Sequence, residues 1–132
     1  MQKRTIIVQG TPVSVNASSA RKATWRRKVK KHARQCCSTR WKFKDLRVKV
    51  QFFHNGSRQR DTDNISKLVC DALQGIAYDN DSQIVQRHAD RKDIYGPYEI
   101  VGVNRKIIDA IVRGKEFIAI TIERVGRGIT SI

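Results

Sequence analysis

The sequence predicts a single α/β domain, with a small mixed β-sheet of about four strands flanked by helices. Three observations carry this. A length of 132 residues suits one domain with one modest core. Apolar residues recur with period two in three or four short runs. Between those runs lie stretches with apolar residues three and four apart, so strand-like and helix-like patterns alternate.

The first run, Arg4 to Gln9, is β-rich and stops at Gly10, Thr11 and Pro12. Pro12-Val13-Ser14-Val15-Asn16 reads as an extended connector. Ser18 or Ser19 caps a helix to about Cys36, in which Trp25, Val29, Ala33 and Cys36 form a narrow apolar stripe. Residues 37–45 read as a loop that sets Trp41 and Phe43 among cations, either to stack on unpaired bases or to complete the core. A second strand spans Leu46 to His54, with Val48, Val50 and Phe52 on one face against Lys49, Gln51 and Phe53 on the other. A central helix from about Asp63 to Gln74 buries Ile65, Leu68, Val69, Ala72, Leu73 and Ile76, and Gly75 ends it. Asn64, Lys67 and Asp71 share another of its faces. A polar turn, Tyr78 to Gln83, leads into a third strand from Ile84 to Arg91. After a loop over 93–98, Asn104 opens a short helix with Ile107, Ile108, Ile111 and Val112 inside. A last strand, Glu116 to Arg124, alternates Ile118, Ile120 and Ile122, and 125–132 reads as a frayed tail. One domain, 1–132, follows.

Charge narrows the function. The formal net charge is +15, from 27 Lys and Arg against 12 Asp and Glu. Such a balance points to a polyanionic partner. The first predicted helix carries Arg26, Arg27, Lys30 and Lys31 with no acid to offset them, which suits phosphate contact. Its apolar stripe is too thin to insert into a bilayer, and no run is long enough to cross one. Cys36, Cys37 and Cys70 have no metal-binding spacing and read as reduced and mostly buried. His32, His54 and His88 read as structural or exposed. The chain is expected in the cytoplasm.

The acids are concentrated instead of dispersed. None occurs in residues 1–44, whereas Asp61, Asp63, Asp71, Asp79 and Asp81 fall within one short stretch. In a basic protein such a cluster repels the polyanion that the remaining surface attracts, unless a cation occupies it. Asp61 and Asp63, two apart at a strand-to-helix junction, with Asp81 from the next turn, are a fitting oxygen donor set for a hard divalent ion. Lys67, four residues after Asp63, can stabilise a developing phosphoryl charge. The matching chemistry is metal-assisted phosphodiester hydrolysis. Plainer roles are also open. Asp63 suits an N-cap, Asp61 an Asx turn, and Lys67 an ordinary ion pair.

Asp61-x-Asp63-Asn64-x-x-Lys67, then Asp71-Ala72-Leu73, then Asp81-x-Gln83, resembles the signature of the RusA family of Holliday junction resolvases. Pro12-Val13-Ser14-Val15-Asn16 is similar to that family's Pro-Pro-Ser-x-Asn opening, and the likeness covers roughly residues 5 to 124. It implies a homodimer that uses Mg²⁺, with Mn²⁺ as a substitute, to nick four-way DNA junctions symmetrically in recombination and repair. By the same likeness Asp61, Asp63 and Asp81 are metal ligands, Lys67 is the catalytic cation and Arg60 touches DNA. The family often has Asp where Asn80 stands, which makes Asp79 a candidate to join the cluster. Two rivals are a metal nuclease of flaps or other branched DNA and a non-catalytic basic DNA-binding protein.

Overall fold

A computed structural model describes residues 3–13, 17–55, 62–96 and 104–125, with only the backbone at 62–64. The order is β1 (Lys3–Gln9), α1 (Ser19–Cys36), β2 (Leu46–His54), α2 (Thr62–Leu73), a 3₁₀ turn (Asp81–Gln83), β3 (Ile84–Asp93), α3 (Arg105–Val112) and β4 (Phe117–Arg124). The predicted strand–helix alternation holds throughout. The sheet order is β1-β4-β2-β3. β2 and β3 are parallel, joined across α2, while β4 runs antiparallel to both β1 and β2. The sheet is therefore mixed, and among the described residues both its edges are open.

One face of the sheet carries the main core. Leu46, Val48, Val50 and Phe52 of β2, with Ile118, Ile120 and Ile122 of β4, lie under Trp25, Val29 and Ala33 of α1 and Ile65, Val69 and Leu73 of α2. Ser18 caps α1, accepting from the Arg21 N–H, as its position before the apolar stripe implies. Gly75, at φ +85°, turns the chain after α2 in the left-handed region where a side chain would be strained.

The second face departs from expectation. Strict alternation puts Gln51 and Phe53 towards water, yet both are buried. Phe53 stacks on Phe117 at 4.5 Å between ring centres, in a second core with Ile94, Ile107, Ala110 and Ala119. Both faces of β2 and β4 are thus covered at this end, and α3 is the cover. Only Ile107 and Ala110 of α3 are buried. Ile108 is 38% exposed and Val112 80% exposed, so the expectation that both point inward is wrong. Asn104 caps α3 through Lys106 and Ile107, and its amide reaches the Thr5 hydroxyl at 2.8 Å. This fixes the helix against β1 with a narrow buried stripe. β3 also runs two residues further than predicted, to Asp93. The Ser14–Asn16 part of the connector and the expected frayed tail from residue 126 lie outside the described residues. Among the described residues, no helix is long and apolar enough to cross a membrane.

Candidate active site

The acidic stretch maps onto α2 and the turn that follows it. Arg60 and Asp61 fall outside the described residues. The backbone of Asp63 lies within the first turn of α2, since the helix starts at Thr62, so Asp63 does not cap it. A carboxylate in a first helical turn is favoured by the helix dipole. Lys67 and Asp71 are exposed one and two turns later, on the face expected for them. Among the described residues no group of three or more His, Cys, Asp or Glu is arranged to hold a metal. The side chains of Asp61 and Asp63 are not among those described.

Asp81 opens the 3₁₀ turn, and the turn is braced on every side by neutral groups. Asn80 accepts from the Ser82 N–H, and Gln83 returns its side chain to the N–H groups of Asp79 and Asn80 at 2.8 and 2.9 Å. The Gln83 amide nitrogen donates to the carbonyls of Trp41 and Phe43 at 2.9 and 2.7 Å. Tyr78, fully buried, donates its hydroxyl to the Cys70 carbonyl in α2 at 2.7 Å. Burial pushes the Tyr78 phenol far above its ordinary value, so it remains a donor at any physiological pH. Cys70 is shifted up by burial in the same way, against the pull of the nearby Arg87.

The Asp81 carboxylate is half exposed, and its ion pair is a long 4.0 Å contact with Arg87 of β3. It is thus oriented but not neutralised, a fit for a hard cation at that atom. Asp79 turns instead to Arg40 at 3.3 Å, and Asn80 is occupied as a cap. Tyr78 anchors the turn at Cys70, seven residues along α2 from Asp63. At about 1.5 Å rise per residue that is a rise of roughly 10 Å along the helix.

The basic helix contributes on two faces. Arg27 and Lys31 are exposed, whereas Arg26 and Lys30 are half-buried. His32 and Gln35 line a groove of about 310 Å³ beside β1. Arg26 and Lys30 lie on the other flank of the buried stripe, the side of α2.

The RusA endodeoxyribonuclease family matches residues 2–102, which include every residue of the acidic stretch. The chain belongs to that family. No curated protein matches it. RusA membership implies nuclease action on DNA, and the binding and resolution of branched junctions in general. The match ends before α3 and β4, so it is shorter than the resemblance read over 5–124. Gln83 was visible in the sequence only as a letter of the RusA motif. The residues it braces, Trp41 and Phe43, are about forty positions away, and no local signal links them. Trp41 and Phe43 are half-buried and pack against the main core, the plainer of the two roles expected for them. Their outer faces are covered by guanidinium groups, Arg4 over Trp41 and Arg124 over Phe43, each at 4.3 Å.

Proposed function

We propose that this RusA protein is a homodimeric, Mg²⁺-dependent endonuclease that resolves four-way DNA junctions by paired, symmetric nicks. The observation that carries the reading is the family match, which spans Asp61, Asp63, Lys67 and Asp81 together. In this reading Asp61, Asp63 and Asp81 hold the ion. When bound, it supplies a Lewis acid that lowers the pKa of its water for in-line attack on the phosphodiester. Lys67, exposed one turn after Asp63, offers its ammonium to the charge that develops on the phosphoryl oxygens. Arg60, with Arg26, Arg27, Lys30 and Lys31, neutralises flanking phosphates, so binding is steeply salt-dependent and governed by backbone charge and junction shape.

Asp63 lies in the first turn of α2 and Asp81 in the turn beyond the end of that helix, which favours a site completed between two copies, with Asp81 supplied by the partner copy. The test is cleavage in Mg²⁺ of a synthetic four-way junction, a flap and a linear duplex. The parent cuts the junction with paired nicks, and Asp63→Asn binds it without cutting. Equal cutting of all three substrates rejects junction resolution, and equal cutting of junction and flap with the duplex spared favours a broader branched-DNA nuclease. Absence of cutting by the parent favours a non-catalytic DNA-binding protein. Mixing Asp63→Asn with Asp81→Asn chains restores nicking if the site is shared between copies, and leaves it absent if each chain builds its own.

A further inference from the structure

The stretch joining α1 to β2 is more tightly held than a solvated loop needs to be. The Trp41 N–H donates to the Ala77 carbonyl at 2.9 Å, and Gln83 takes the carbonyls of Trp41 and Phe43. Arg4 holds the Thr39 carbonyl at 2.6 Å, and Val125 donates to the Asp45 carbonyl at 2.9 Å. Trp41 and Phe43 meet edge to face at 5.6 Å. Asp45 completes the shape at φ 64°, a left-handed conformation that Asp tolerates better than most residues. The stretch and the Asp81 turn are therefore one rigid unit.

With the aromatic residues turned in, the intervening side chains Arg40, Lys42 and Lys44 are all exposed. Only Arg40 is answered, by Asp79. Among the described residues Lys42 and Lys44 have no ion-pair partner. Arg124 is exposed too, with its guanidinium held 4.3 Å from the centre of the Phe43 ring. Holding like charges on a stiff scaffold without counter-ions is unfavourable unless a polyanion supplies them. A guanidinium fixed on a ring also loses less entropy when it grips a phosphate.

We propose that residues 40–44, together with Arg124, form a guide for the DNA backbone, gripping the phosphates that flank the cut on the Asp81 side. This rests on the nuclease reading above for the meaning of the cut, but its contact with DNA does not. Because Gln83 joins the guide to the Asp81 turn, a phosphate held at Lys42 or Lys44 fixes which phosphodiester meets the carboxylates.

The experiment measures binding of a synthetic four-way junction in Ca²⁺ across a salt series, for the parent, Lys42→Gln/Lys44→Gln, Arg124→Gln, and Arg113→Gln on α3 as a control. The slope of log K against log salt should become shallower by about 2 for the double variant and about 1 for Arg124→Gln, with roughly tenfold weaker binding for the double variant at ~0.1 M salt. Arg113→Gln should keep the parent slope. These positions are exposed, so folding is not at stake. An unchanged slope in the double variant, or an equal fall in the control, overturns the guide. In Mg²⁺ the double variant should spread its cuts over neighbouring phosphodiesters, and a single unshifted cut position rejects the role in register. If the parent does not cut at all, the nuclease reading fails while the binding series still decides the contact.

Discussion

Replacing Gln83 by Leu should cost stability out of proportion to one side chain. Gln83 is 9% exposed and makes four hydrogen bonds, two accepted from the N–H groups of Asp79 and Asn80 and two donated to Trp41 and Phe43. Leu has similar volume and no polar atom, so all four backbone partners lose their contact. At about 0.5–1.5 kcal/mol net per bond the sum is roughly 2–6 kcal/mol. Asp79 and Asn80 are exposed, and water can replace the bonds to their N–H groups. That discount narrows the expected loss to about 2–4 kcal/mol, or a fall in Tm of roughly 10 °C for a chain of this size. Urea unfolding followed by tryptophan fluorescence measures it, since Trp41 lies on the braced stretch and Trp25 in the core. The m-value should remain unchanged, because the folded state exposes little more surface. A loss below about 0.5 kcal/mol would refute the reasoning, showing that the 39–45 stretch holds its shape without Gln83.

Two further predictions use titration and thiol access. The pKa of His32 is lowered by burial first and then by Lys28 and Lys31. The unfolded chain therefore takes up a proton more readily, and stability should be level above pH 6.5 and fall as the pH drops below it, with His32→Asn flattening that slope in pH-dependent urea titrations. Cys37 and Cys70 are buried with thiols shifted up by burial, whereas Cys36 is half-buried at the groove beside β1. Iodoacetamide followed by tandem mass spectrometry should modify Cys36 at least about tenfold faster than the other two, and equal rates would contradict the packing.

Local pattern made much of this fold legible. Ser18 ahead of a Trp25–Val29–Ala33 stripe fixed α1, and the alternating isoleucines fixed β4. Period and capping are short-range properties, and they fail where burial is decided by distant partners. Alternation in β2 marks Gln51 and Phe53 as outward, but α3 arrives about fifty residues later and packs in one cluster with Phe53. In α3 itself, Ile107, Ile108, Ile111 and Val112 form a plausible stripe, whereas contact with Thr5 rotates the helix so that small Ala110 is buried and Val112 is left in solvent. For the site, the acidic motif showed which turn mattered. It could not show that Arg4 and Arg124, from the two neighbouring edge and inner strands β1 and β4, cover the aromatic rings beside it.

The bracing of that turn also bears on why Asp81 is there. A carboxylate kept for stability is normally closed by a tight partner, as Glu123 is by Arg47 at 2.8 Å. Among the described residues Asp81 has only Arg87 at 4.0 Å, and the turn does not depend on that contact. Asn80, Gln83 and Tyr78 hold the backbone with an amide, a second amide and a phenol, none of which carries charge. Removing the Asp81 charge should therefore leave the turn standing, because no neutral brace uses it. A fold that supports a carboxylate so completely by other means leaves the charge free for a ligand. In a surface this basic, a cation bound there also offsets the repulsion that an unanswered acid would exert on an incoming phosphate.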